Sequence, residues 1–329
     1  MAIHKNNKLP LVSVQALKKH FPLNRHQTVK ALNGVSFDIH KGETFGLVGE
    51  SGCGKSTVGR TIMGLYPPTA GQVYIHGKDI HQASAQENKT RQRQIQMIFQ
   101  DPYASLNPRA TIFEIIAEPL EIHRVHKNKN DLRQHINRLL EEVGLNPAHA
   151  HRYPHEFSGG QRQRVGIARA LALEPDIIIA DEPISALDVS IQAQIVLLLQ
   201  RLQQDKKLTY LFIAHDLAMV KYLSDRVGVM YLGQMAELAS SHELYTNPLH
   251  PYTQALLSAI PVPDPDLEKK RQRILLKGEL PSAINPPAGC VFHTRCPQAQ
   301  AICRQQLPVW QEHAPGHFAA CHLIAERNR

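Results

Sequence analysis

The sequence predicts an α/β fold: a mostly parallel sheet flanked by helices, with an antiparallel β portion near the start, a helical insertion and a small cysteine-rich module after residue 260. Three observations predict it. A glycine-rich stretch, Gly49-Glu50-Ser51-Gly52-Cys53-Gly54-Lys55-Ser56-Thr57, stands between an apolar run and a helical one. From Gln161 to Leu238, short apolar segments alternate with helical periods, which is the rhythm of strand–helix units. Beyond Pro261 prolines become frequent, helical periodicity fades, and four of the five cysteines appear.

A chain of 329 residues is long enough for one large domain, expected over residues 1–260, and an appendage over 261–329. Its apolar fraction of 43% and charged fraction of 20% are those of a globular protein. The net charge of +8 is spread along the chain without a basic block interleaved with aromatics, so nucleic acid is not expected as a partner. The densest run, Lys269-Lys270-Arg271-Gln272-Arg273, reads as a solvated face. The longest apolar runs, Ile177–Ile179 and Ile195–Leu199, are far too short to cross a bilayer. Met1–Pro10 lacks the apolar segment of a signal peptide, which points to the cytoplasm.

Taken in order, Val12–Lys18 and Val35–Ile39 alternate like antiparallel strands. Phe21, between them, is a candidate to stack on an adenine ring, or else a half-buried edge residue. Thr44–Val48 reads as a buried strand and Val58–Met63 continues as a helix, so the glycine stretch has the context of a phosphate-binding loop. Gly49, Gly52 and Gly54 allow the backbone to approach a polyphosphate with its N–H groups forward. Lys55 supplies a mobile charge for the outer phosphates and Ser56 a hydroxyl for magnesium. After the break at Pro67–Gly71, strands are expected at Gln72–Ile75 and at Ile95–Phe99, the latter leading to Gln100-Asp101-Pro102. From about 102 to 160 the spacing turns helical, over Ile112–Ile122 and Leu132–Val143. Helices at Gln161–Leu173, Val189–Gln204 and Leu217–Leu223 then alternate with strands at Asp176–Asp181 and Thr209–Ala214, and strands at Val227–Tyr231 and Gln234–Leu238 follow.

Ligands of such sheets bind beyond the carboxyl ends of the strands. Asp181 ends one, suited to a magnesium shell, and the adjacent Glu182 is placed to polarise an attacking water. Gln100 and His215 follow two others; either alone would be an ordinary satisfied polar residue, and their shared position is the signal. In Phe157-Ser158-Gly159-Gly160-Gln161, Ser158 caps a helix whose first N–H groups are bared by two glycines, a second anion site.

The order of phosphate loop, Gln100, Ser158–Gln161, Asp181-Glu182, Ser185-Ala186-Leu187-Asp188 and His215 resembles the ATPase subunits of ABC transporters, which are P-loop NTPases. The resemblance spans residues 1 to about 260 and implies bound ATP and Mg2+, with Ser56, Gln100 and Asp181 around the metal and Gly49–Thr57 and Phe21 on the nucleotide. It also implies that Glu182, His215 and Gln100 serve hydrolysis, and that Ser158, Gly159, Gly160 and Gln161 close over the ATP of a second subunit. Phe157 stands where leucine is commoner in that family. One phosphate loop and one such signature per chain imply a dimer.

Asn247–Leu257 and Gly278-Glu279-Leu280-Pro281-Ser282, followed by the cysteines, resemble the oligopeptide/dipeptide importers, and most nearly the second ATPase of dipeptide importers. That likeness implies a homologous but distinct partner ATPase, two transmembrane permease subunits and, indirectly, an extracytoplasmic solute-binding protein. It also implies a peripheral location on the cytoplasmic face of a bacterial inner membrane. The rival assignments are a soluble ABC ATPase acting on DNA or the ribosome, and a P-loop kinase or switch protein. Cys290, Cys296, Cys303 and Cys321 are separated by five, six and seventeen residues, without the close pairs usual at zinc. A structural 4Fe-4S cluster, which the resembled importers carry, is expected ahead of zinc and of free thiols; His293, His313, His317 and His322 lie close by and read first as surface histidines, and only behind that as reserve ligands. Cys53 reads as a bystander in the loop.

Overall fold

Two long strands open the chain, β1 (Val12–Pro22) and β2 (Thr28–Ile39), paired antiparallel from Val12↔Ile39 to Pro22↔Thr28. With β4 (Ala70–Ile75) and β5 (Lys78–Asp79) they make a sheet of order β2-β1-β4-β5. The computed structural model describes residues 9–261, 264, 266 and 273–324. Most of the polar start Met1–Pro10 and all but Arg273 of the basic run therefore lie outside the described residues. The chain divides into two units, one from residues 1–40, 44–81 and 214–329, the other from 41–43 and 82–213.

In the first unit β3 (Thr44–Val48) runs parallel to β9 (Arg226–Tyr231), and every residue of β3 is buried, as expected of a parallel strand with no solvent face. β10 (Gln234–Ser240) returns antiparallel to β9. Against it lies β12 (His317–Ala319), the second strand of a hairpin with β11 (Gln311–Ala314). The tail thus continues the sheet that begins at the phosphate loop. Its helices are α1 (Lys55–Ile62), α7 (Leu217–Leu223), α8 (Ser241–Thr246), α9 (Pro251–Ser258) and α10 (Ala301–Gln305). α9 begins at Pro251, whose fixed φ suits a first helical turn, with His250 as its cap.

In the second unit β6 (Ile95–Ile98), β7 (Ile177–Asp181) and β8 (Thr209–Ala214) are parallel neighbours in the order β8-β7-β6, and β7 and β8 are buried throughout. The helical stretch holds α3 (Ile112–Ile122) and α4 (Lys129–Glu142), then α5 (Gly159–Leu171) and α6 (Val189–Lys206). Thr111 and Glu114 form a capping box at the start of α3, and Asn128 caps α4. The sequence reading missed α2 (Ala85–Gln94). No residue of α2 is buried, so it has no apolar stripe to betray it; its local signal is the capping box of Ser84 and Glu87.

Candidate functional site

The phosphate loop joins β3 to α1 through backbone that side chains other than glycine resist. At Gly49 (φ 152°) a Cβ would meet the Met230 carbonyl at 2.2 Å, and at Gly54 (φ 108°) the Ala31 carbonyl at 2.4 Å. Gly54 is also the N-cap of α1 and offers no side chain to its first N–H groups, which stay available to an anion. Lys55 is buried, and its Nζ donates to the carbonyls of Gly49 (2.8 Å) and Glu50 (3.0 Å). Cys53 is buried with its thiol pushed up, chiefly by burial, and the Gly233 N–H donates to its carbonyl at 2.9 Å. Its side chain packs inside the loop. Phe21, half-buried near the end of β1, meets Tyr66 edge-on at 5.3 Å and has Lys19 Nζ 4.9 Å from its ring centre. His215, directly after β8, is exposed.

In the second unit Asp181 ends β7 and is almost fully buried. Glu182 follows with φ 47°, a left-handed conformation that costs a non-glycine residue energy and marks such positions as functional candidates. Its N–H donates to the Ile213 carbonyl at 2.9 Å, and its Oε2 accepts from Gln100 Nε2 at 3.0 Å. Two residues predicted separately are therefore brought together. The stretch after Glu182 is braced by Ser185, which donates to the Glu182 carbonyl, and by Asp188, which caps α6 through the Ile191 N–H. Gln192 Nε2 reaches the carbonyls of both Ile184 and Leu187 at 3.1 Å.

Ser158 caps α5 as expected, and Gln161 completes the box: Ser158 Oγ accepts the Gln161 N–H at 3.3 Å while Gln161 Oε1 accepts the Ser158 N–H at 3.0 Å. Of the two glycines, Gly160 has a packing reason, since a Cβ there would stand 2.5 Å from Ile191 Cγ2 on α6. Phe157 is buried, an apolar residue in an apolar place.

None of the four tail cysteines is in a disulfide; Cys303 is buried and Cys290, Cys296 and Cys321 are half-buried. Cys290 is pushed up to about 11, by burial first and then by the thiols of Cys303, Cys321 and Cys296 around it. Among the described residues, however, no three His, Cys, Asp or Glu side chains stand in a metal-holding group. Three reserve histidines are engaged elsewhere: His293 Nδ1 with the Cys290 carbonyl, His317 Nε2 with Glu237, and His322 Nε2 with the Gln306 carbonyl. Sequence reasoning also missed Tyr252, whose hydroxyl accepts the Glu50 N–H at 3.0 Å from 202 residues away.

Residues 32–185 match the family model of the ABC transporter, and residues 236–303 match that of the oligopeptide/dipeptide transporter C-terminal region. The oligopeptide transport ATP-binding protein AppF of Bacillus subtilis is 57% identical over 97% of this chain and 99% of its own length. The chain belongs to the oligopeptide-transport ATP-binding subunits of ABC importers. A further member, OppF of the same bacterium, is 63% identical over 80% of this chain and 86% of its own. Among solved structures, a dimeric ATP-binding cassette in a post-hydrolysis state bound to ADP and Pi superposes with a TM-score of 0.64 at 31% identity, over 70% of this chain and 98% of that one. As an ABC ATPase subunit the chain hydrolyses ATP, and its α/β fold is the ABC cassette. The reading as a soluble ATPase acting on DNA or the ribosome is not favoured. Among the described residues no helix is long and apolar enough to cross a membrane.

Proposed function

We propose that this chain drives uptake of dipeptides or oligopeptides as a peripheral ATPase on the cytoplasmic face of a bacterial inner membrane. In this reading it pairs with a homologous ATPase, docks on two transmembrane permease subunits, and is served indirectly by an extracytoplasmic solute-binding protein. The observation that carries it is the presence, on one chain, of a phosphate loop with bare helix N–H groups, a glycine-bared capping box at α5, and the oligopeptide-type C-terminal region.

In the proposed roles, the N–H groups of Gly49–Thr57 cradle the phosphates, Lys55 leaves the loop carbonyls to meet them, and Phe21 stacks on the base. Ser56, Gln100 and Asp181 would hold magnesium, which supplies charge neutralisation across the outer phosphates. Glu182 takes a proton from the attacking water, Gln100 orients that carboxylate, and His215 contacts the outer phosphate. Ser158, Gly159, Gly160 and Gln161 close over the nucleotide held by the partner ATPase, so that two ATP molecules lie in the closed dimer. The domain division at about 260, with a helical subdomain over 102–160, belongs to the same reading. Support for a 4Fe-4S site at Cys290, Cys296, Cys303 and Cys321 is the gathering of thiols around Cys290, although the present side-chain positions do not form a metal group. Its role is structural, and zinc is the alternative. Iron and acid-labile sulfide assays on anaerobically purified protein separate the two, a colourless preparation with stoichiometric zinc excluding the cluster.

The whole reading is tested by co-expressing the chain with its candidate permease subunits in membrane vesicles. Co-purification, together with ATP hydrolysis that rises when peptide-loaded binding protein is added, is expected. Hydrolysis indifferent to any peptide and absence from the membrane fraction would refute it.

A further inference from the structure

Glu50 is the one acidic residue in the phosphate loop, and each of its polar groups is held. Its N–H goes to Tyr252 Oη (3.0 Å), and its carbonyl accepts from Lys55 Nζ (3.0 Å) and from the Cys53 N–H (3.3 Å). Its carboxylate is gripped in parallel by Arg295, with Nη1 2.7 Å from Oε2 and Nη2 3.1 Å from Oε1, across 245 residues of sequence. This is the two-pronged geometry that makes arginine–carboxylate pairs specific.

Arg295 is itself presented rigidly. It lies in the turn between Cys290 and Cys296, where the N–H groups of Arg295 and Cys296 both reach the Phe292 carbonyl at 3.0 Å. Phe292, about 1% exposed, is wedged against Tyr231 (5.1 Å), Tyr252 (5.3 Å) and His250 (5.6 Å). The Arg295 side chain is only 10% exposed and lies over the Tyr231 ring. A turn anchored this firmly in the core delivers one guanidinium to one loop carboxylate.

The chemistry of the loop explains why that carboxylate requires a partner. A polyphosphate brings several negative charges to the loop, and an unneutralised glutamate in the same loop repels them through a medium less screening than water. We propose that Arg295 is a positioning residue for ATP: carried on the cysteine-rich module, it neutralises Glu50 and fixes the loop in its nucleotide-accepting form. The proposal rests on the reading of Gly49–Thr57 as the ATP loop. By linkage, a module that holds the loop ready for nucleotide is itself held tighter once nucleotide binds.

The test is a cycle of ATP titrations on the purified full chain, comparing wild type, Arg295→Met, Glu50→Gln and the double variant, with Lys55→Ala as control. Arg295→Met is expected to weaken ATP binding at least tenfold, because it leaves the carboxylate charged and unpaired. The same change made in the Glu50→Gln background is expected to cost less than threefold. A structural staple would instead make Glu50→Gln alone bind ATP as weakly as Arg295→Met, whereas neutralisation leaves Glu50→Gln within threefold of wild type. Binding by Arg295→Met within twofold of wild type, or an equal loss in both backgrounds, overturns the proposal. A Lys55→Ala chain that still binds ATP normally would instead overturn the reading of the loop. Should Arg295→Met fail to fold, wild-type protein carries the test by amide hydrogen exchange: Mg-ATP is expected to slow exchange across residues 289–296, and unchanged exchange there refutes the coupling.

Discussion

Glu182 combines a strained backbone, a partner in Gln100 and a place just beyond the buried end of β7. Glu182→Gln keeps shape and hydrogen bonding while removing basicity. ATP affinity is expected to stay within about threefold and turnover to fall by about a hundredfold or more, the usual share of a general base. Nucleotide titration alongside phosphate release checks both, and undiminished hydrolysis refutes the assignment. His250 gives a prediction of another kind. It is fully buried, and desolvation lowers it from 6.5 to about 4, against a raising effect of Glu237. Between those pH values the unfolded chain binds a proton that the folded chain refuses, so stability is intact above 6.5 and falls as pH drops toward 4. At pH 5 the loss relative to pH 7.5 is roughly 2 kcal/mol. His250→Asn retains an acceptor for the Tyr252 N–H that His250 now caps, and is expected to flatten this acid limb in urea melts. An unchanged slope would show that other groups set it. The individual site residues were legible as candidates because each stands at a strand end or loop with its own chemistry. Arg295 and Tyr252 were not, since their partner Glu50 lies more than two hundred residues earlier and no local pattern reports such a meeting.

At the scale of elements, legibility followed burial. The apolar runs behind β3, β7 and β8 are buried at every position, and they were read correctly; α2, which has no fully buried residue, was passed over. The β11–β12 hairpin was missed because strands of four and three residues are too short for alternation to emerge. Helix α5 offers an internal comparison of two glycines. A methyl at Gly160 would press on the stiff, β-branched Ile191 of α6, whereas at Gly166 nothing lies within 4 Å of the added carbon. Gly160→Ala is therefore expected to destabilise by about 1–3 kcal/mol through overpacking, and Gly166→Ala to stabilise by about 0.5–1 kcal/mol through helix propensity. Denaturant midpoints of the two variants should move in opposite directions. Equal shifts would mean that α5 and α6 do not approach through Gly160.

For the molecule as a whole, the sharp change of composition near residue 261 marks a small extra module after the ATPase domain. Within the first unit the tail instead supplies structure that the sheet lacks without it. β12 pairs with β10 at Glu237↔Ala319 and Leu238↔Phe318, covering backbone that would otherwise be a free edge. Glu237, wholly buried, accepts the N–H groups of Leu249 (2.7 Å) and His250 (2.9 Å) and pairs with His317 Nε2 at 2.7 Å, so its hydrogen bonding relies on a histidine of the tail. Removing one partner of a buried pair costs about 3–5 kcal/mol, a large share of the ~5–15 kcal/mol that stabilises a typical domain. His317→Leu should lose stability on that scale while still folding at low temperature. A chain ended at residue 260 loses this partner, the β12 cover and the Phe292 wedge together, and is expected to be recovered as aggregate. Soluble truncated protein melting within a few degrees of the full chain would show that the composition break at 261 is a true domain boundary.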